Sequence, residues 1–222
     1  MYRLTGIFAA LAWVIAGPAL AAPSSSGRLE FEVLRNGSPF GTHIVEVTGG
    51  AGGFDASSSV DLRVRLGPIT AFQLTQTCTE TWRDGALAML RCSTLKDGRR
   101  VNINSVLENG ALNISIGHRP GDTERFALDA VPTSWWSKPA LDLDSMINTE
   151  TGKPMPVRIT RIGREQIVVG GQTIAAERLR VVGTLTMDLW YDDQGRWVGC
   201  AFVARGQRVE YRLASPRSVA PA

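Results

Sequence analysis

The sequence predicts an all-β protein, an antiparallel meander of about ten strands forming a barrel or a strongly curved half-barrel. Three observations lead there. Apolar and polar residues alternate over one short run after another, the period of half-buried strands. Between those runs stand Asp84-Gly85, Asp97-Gly98, Asn109-Gly110, Gly170-Gly171 and Asp192-Asp193-Gln194-Gly195, residue types that supply the positive φ values of tight hairpins. Their spacing is that of sandwiches and barrels, not of βαβ units.

The elements follow in order. Met1-Tyr2-Arg3 carries one positive charge, and Leu4 to Ala16 is apolar except for Thr5 and Gly6. Gly17-Pro18 breaks that run, and Ala19-Leu20-Ala21 offers small residues to a signal peptidase. Residues 1–22 therefore read as a secretory signal peptide cleaved after Ala21 or Ala22. The apolar run is shorter than the roughly 20 residues that span a bilayer. Ala22-Pro23-Ser24 places no lipid-accepting cysteine at the cleavage site. The expectation is a periplasmic or secreted protein that is not a lipoprotein and has no transmembrane segment.

Residues 23–28 read as a flexible mature N-terminus, 29–214 as a single β-rich domain, and 215–222 as a disordered tail. Leu29–Val33 alternates, Asn36-Gly37 turns, and His43–Val47 returns. Val60–Leu66 alternates strictly, Gly67-Pro68 bends the chain, and the Thr-rich run from Phe72 to Trp82 alternates again. One segment breaks the rhythm. Residues 131–153 open with Val131-Pro132-Thr133-Ser134-Trp135-Trp136 and continue into a stretch expected to form a short helix at 140–147. This excursion is expected to cover one end or face of the sheet, dividing strands at 29–128 from strands at 154–213.

Composition narrows the function classes. The chain has 222 residues and a formal charge of +3, without a run of Lys or Arg. Nucleic-acid binding would need a dense basic face. Arg158, Arg161 and Arg164, and then Arg178 and Arg180, form a guanidinium face suited either to an anionic group or to protecting a sheet edge. There are three cysteines. Cys78 and Cys92 flank the Asp84-Gly85 turn and meet across the hairpin if the register places them opposite each other. They then form a disulfide in an oxidising compartment; the other reading is two small buried apolar residues. Cys200 is left as a buried, unreactive thiol.

Catalytic signals are sparse. His43 and His118 are far apart, with no cysteine or carboxylate at ligand spacing, so neither a metal nor a cofactor is expected. There is no Gly-x-Ser-x-Gly elbow for a serine nucleophile. Asp188, Asp192 and Asp193 share one hairpin and read as turn and rim charges. The aromatics say more. Trp82, Trp135, Trp136, Trp190, Tyr191 and Trp197 concentrate near hairpin ends and in the excursion. Such residues, with His43, either line an apolar ligand site at a barrel mouth or fill the core. Trp190 and Tyr191 point to opposite faces of their strand.

Four segments carry a family resemblance: Asn36-Gly37-Ser38-Pro39-Phe40-Gly41-Thr42-His43, Glu80-Thr81-Trp82-Arg83-Asp84-Gly85, Pro132-Thr133-Ser134-Trp135-Trp136 and Leu189-Trp190-Tyr191-Asp192-Asp193-Gln194-Gly195-Arg196-Trp197. In this order they resemble an exported proteobacterial β-rich family known as a domain of unknown function. That family is similar in pattern to β-meander proteins whose curved sheets wrap a helix, including the lipoprotein-sorting carriers. The resemblance brings no catalytic residues. Sequence and resemblance together imply a soluble binding or accessory protein with an apolar small molecule or lipid in its cavity. The alternatives are an envelope interaction protein with a solid core and an envelope partner, or a hydrolase using His43 or the Asp188–Asp193 region.

Overall fold

A computed structural model describes residues 27–50, 52–117, 121–214 and 217–218. The expected signal peptide and His118 lie outside the described residues. The first run of strands comprises β1 (Gly27–Arg35), β2 (Ser38–Gly50), β3 (Gly53–Leu66), β4 (Ile69–Arg83), β5 (Ala86–Lys96), β6 (Arg99–Glu108), β7 (Ala111–Ile116) and β8 (Thr123–Phe126). Then come β9 (Ser145–Ile147) and β10 (Pro154–Pro156). The second run comprises β11 (Arg158–Val169), β12 (Gln172–Val182), β13 (Thr186–Tyr191), β14 (Trp197–Ala204), β15 (Gln207–Leu213) and β16 (Arg217–Ser218).

The hairpin turns form where the dipeptides predict them. Asn36-Gly37, Asp84-Gly85, Asp97-Gly98, Asn109-Gly110 and Gly170-Gly171 each place two consecutive residues at positive φ. That is the backbone of the tight turn whose twist matches the flanking strands. Arg205-Gly206 does the same between β14 and β15 without a recognisable turn residue at its first position. Among the described residues the expected ten strands are sixteen, because this turn and the strands of two to four residues (β8, β9, β10 and β16) carry no legible pattern.

The order in the main sheet is β11-β12-β13-β14-β15-β1-β2-β3-β4-β5-β6-β7-β8, all antiparallel, with β16 beside β1. The second run thus returns to pair with the first strand, Phe31 opposite Leu213. An open sheet this wide curls, since strongly twisted sheets rarely exceed about ten strands flat. One core joins Ile114 of β7 and Ile159 of β11, near the two ends of the sheet, with Met146, Ile147 and Met155 of the connection. The expectation of a closed barrel is corrected: among the described residues β8 and β11 are unpaired edges, β8 with four residues against twelve in β11. The curved open sheet stands.

The helix expected at 140–147 is also corrected. Residues 131–153 hold no helix and instead enter a small β9–β10 hairpin, with Met146 opposite Met155. Leu141, Leu143 and Ile147 lack a 3.6-residue stripe, and burial follows the hairpin: Ile147 is fully enclosed while Leu141 is exposed. The connection between β8 and β11 runs over the inner face, where Trp136 reaches Glu80 of β4, Gln76 of β4 donates to the Thr149 carbonyl and Tyr191 of β13 donates to the Trp135 carbonyl. Gly152 marks the closest approach: at φ +74, an added Cβ would sit 2.5 Å from Ile103 Cγ2. Gly27 and Arg28 pair in β1, and Arg217 and Ser218 pair with them in β16.

Cys78 and Cys92 form a disulfide, their Cα atoms 4.1 Å apart. The turn alone does not set this register. Arg83 faces Ala86 and Trp82 faces Leu87, a pairing that would place Cys78 opposite Arg91. A bulge beside Thr81 and Trp82 leaves Ala88 unpaired and shifts the ladder by one, bringing Cys78 opposite Cys92. Cys200 is free and buried.

Candidate functional site: an interior cavity with His43 on its wall

The inner face of β4 runs Gln76, Cys78, Glu80, Trp82, and its two ends meet different surroundings. At the Trp82 end the interior is solid. Phe54 stacks on Trp82 with centroids 5.8 Å apart, and Trp136 packs edge-on to both. Glu80 is enclosed among them at 2% exposure. The Nε1–H groups of Trp82 and Trp136 donate to Glu80 Oε2 at 2.9 and 3.2 Å, and the Ser134 hydroxyl also bonds to its carboxyl group. No cation accompanies this carboxyl group; burial pushes its pKa up to about 7, and the three hydrogen bonds only partly offset that.

At the Gln76 end the interior is hollow. A cavity of about 230 Å³ lies between the sheet and the crossing connection. Its wall includes His43, Val60, Leu74, Trp135, Trp197 and Tyr211, with Gln76, Thr133, Asn148 and Thr149 as polar patches. Lys96 and Glu150, ion-paired at 2.7 Å and partly exposed, lie on the outer part of the wall. Leu185, 37% exposed, stands there too.

His43 is placed by β2. Its neighbours in register are Phe31 of β1 and Val60 of β3. Gly41, two residues earlier, lets β3 approach closely: an added Cβ would fall 2.0 Å from the Asp61 carbonyl oxygen. The imidazole sits among Phe31, Trp197 and Tyr211, with ring centroids 6.2, 5.3 and 5.8 Å away. It is 8% exposed, and neither Nδ1 nor Nε2 has a hydrogen-bond partner. Burial pushes its pKa down to about 4, so the ring is neutral at physiological pH.

Trp135 reaches the cavity at a cost to its backbone. Its φ is 61°, a region a bulky residue rarely occupies. Its carbonyl accepts a 2.9 Å hydrogen bond from the Tyr191 hydroxyl, and the conformation keeps the indole on the cavity wall while Trp136 turns to Glu80.

Of the expected ligand-lining residues, the structure brings together His43, Trp135 and Trp197. Trp82 and Trp136 belong to the solid end. Tyr191 is wholly enclosed in the core. Trp190 lies on the outer face, where Arg178 stands 5.5 Å over its ring and Glu165 accepts from its indole. The residues considered for hydrolysis do not meet. Asp188 is on that same outer face, held by Arg178 and Arg180 at 2.5 and 2.8 Å. Asp192 caps its own turn through Gln194 N and Arg196 N and pairs with Arg196, and Asp193 pairs with Arg164. Burial pushes the Cys200 thiol far up, which leaves it protonated. The arginine run divides: Arg161 and Lys138 pair with Glu177, while Arg178 and Arg180 form the Asp188 clamp.

Sequence reasoning missed Glu80 and Gln76. Strand parity was enough to find them, since both share the inward face with Cys78 and Trp82. Thr133, Asn148 and Thr149 gave no signal, because their positions depend on how the connection folds.

Comparisons with known proteins place the fold. No curated protein matches the sequence. A solved structure similar to this chain is described as a beta-barrel-like protein of domain of unknown function DUF1849 from Brucella abortus. The match has a TM-score of 0.60 at 8% identity and covers 89% of this chain and 99% of that one. At that identity the likeness concerns the fold alone. A family model for a domain of unknown function, DUF6134, matches residues 31–214. These residues contain the curved sheet, the crossing connection and the cavity, and the chain belongs to the DUF6134 family.

Proposed function

We propose that this protein is an exported, soluble binding or accessory protein of the bacterial envelope that holds a small apolar or amphiphilic molecule in its interior cavity. The observation that carries the proposal is the cavity of about 230 Å³ between the sheet and the 127–157 connection, walled by Trp135, Trp197 and Leu74. Drug-sized ligands occupy pockets of about 300–1,000 Å³, so this ligand is smaller, or only part of it enters. The backbone of Trp135 adds support. Strain of this kind costs about 1–3 kcal/mol and persists where the surroundings or a function require it. The pattern of residues 1–22 supports export to the periplasm or the medium, and the absence of a cysteine at the expected cleavage site supports an unlipidated product.

The test is direct. The protein is taken from a periplasmic extract and examined by native mass spectrometry, then titrated with an environment-sensitive apolar dye. A bound small molecule, or saturable dye binding lost in Val60→Phe, supports the reading. A ligand-free protein that binds no dye overturns it. Fractionation together with N-terminal sequencing tests the export step: a chain starting at Met1 in the cytoplasm refutes it.

A further inference from the structure

His43 stands on the cavity wall with both ring nitrogens buried beneath its surface, so a ligand group meets them by a turn of the ring. A neutral imidazole has one N–H donor and one nitrogen acceptor, and in His43 both are buried without partners. Buried polar groups in native proteins are nearly always paired, so such an exception calls for an explanation. The groups packed around the ring do not pair with it. Phe31, Val60 and Trp197 offer no charge. Burial keeps the Tyr211 phenol and the Cys200 thiol protonated. Lys96 and Glu150 are the charged groups on the wall, and they neutralise each other in the partly exposed part of it.

Resting on the cavity reading above, we infer that the ligand is an uncharged amphiphile that enters head first, its hydroxyl or similar neutral donor–acceptor group hydrogen-bonded to His43 and its alkyl part running toward Leu185. A hydroxyl both donates and accepts, so it can serve either imidazole nitrogen. A carboxylate only accepts: it can take the imidazole N–H, but it leaves the other nitrogen unpaired and carries its own charge out of water beside a Lys96 already paired with Glu150. The site therefore selects neutral head groups over anionic ones at neutral pH.

The chain has two histidines, so long-range 1H–15N spectra of the tag-free protein contain two imidazoles. The probes are hexan-1-ol, hexane and hexanoate, with occupancy read independently by dye displacement. Hexan-1-ol is expected to bind roughly tenfold more tightly than hexane. It should shift the His43 nitrogens and leave those of His118 unmoved. Hexanoate should bind weakly at pH 7 and gain as the pH falls. His43→Phe keeps a ring in place and should equalise hexan-1-ol and hexane. The inference fails if alcohol and alkane compete equally in the parent protein, if hexan-1-ol binds without moving the His43 signals, or if hexanoate binds best at pH 7. In each of those cases the cavity reading survives. If neither dye nor any probe enters, both fail.

Discussion

Two polar side chains enter the same interior a short distance apart, with opposite outcomes. Ala56 of β3 pairs with both Val47 of β2 and Glu80 of β4, and Val47 is four residues from His43, or about 13 Å of strand. Glu80 is met by two indoles and a serine hydroxyl, and the interior around it is full. His43 is met by rings and an empty space. Both sites are built from strand residues and from the crossing connection, and the connection makes the difference. Ser134 and Trp136 turn one way to complete the Glu80 cluster, while Trp135, at positive φ, turns the other way and walls the cavity. One end of the interior holds the fold together. The other is held open.

Adjacent tryptophans offer the strongest way to break this contrast. Trp136→Ala removes a buried ring and one of the hydrogen bonds to Glu80, and is expected to cost about 3–5 kcal/mol in urea unfolding. Trp135→Ala removes a half-buried ring that faces open space, with fewer contacts to lose, and is expected to cost about 1–2 kcal/mol while weakening dye binding. Equal costs would show that the two ends are packed alike. The disulfide lies on β4 between Gln76 and Glu80, at the boundary. Replacing both cysteines with serine should cost about 3 kcal/mol, the scale for a loop of this length, measured against the parent under non-reducing conditions.

Acidity separates the two groups with opposite sign. Glu80 has its folded pKa raised from 4.5 to about 7, so its contribution is fully present below 4.5 and is lost as pH rises to about 7. His43 has its folded pKa lowered from 6.5 to about 4, so its contribution is present above 6.5 and is lost as pH falls to about 4. Each is worth about 3 kcal/mol over its window, and between pH 4.5 and 6.5 they largely cancel. Variants uncover them. Relative to the parent, Glu80→Gln should gain about 3 kcal/mol as pH rises from 4.5 to 7. His43→Phe should gain about as much as pH falls from 6.5 to 4. Chemical denaturation across this range reads both slopes, and a flat difference for either variant places that group in water.

The strands and turns were legible because they follow local rules. Asp97-Gly98 and Asn109-Gly110 adopt positive φ for reasons contained in two residues. The Cys78–Cys92 contact was legible only in part, since its register depends on the bulge at Ala88, which no turn residue announces. The split among the tryptophans was not legible at all. Nothing local distinguishes Trp135 from Trp136; their directions are set by Tyr191 and Glu80, more than fifty residues away in sequence. The helix expected at 140–147 failed for the same reason, because the inner face accepted Met146 and Ile147 as a short strand.

The smallest effect is expected where sequence parity was right but function does not follow. Trp190 and Tyr191 are neighbours that face opposite ways, and only Tyr191 enters the interior. Tyr191→Phe deletes the hydrogen bond to the Trp135 carbonyl and should cost about 1 kcal/mol, with a loss of dye affinity because that bond helps hold Trp135 in place. Trp190→Phe keeps a ring under Arg178 on a partly exposed face, where solvent screens the Asp188 and Glu165 pairs. It should change stability by less than about 0.5 kcal/mol and leave dye binding untouched. If Trp190→Phe instead weakened binding while Tyr191→Phe did not, the ligand would lie on the arginine-lined outer face and the cavity would be a packing defect.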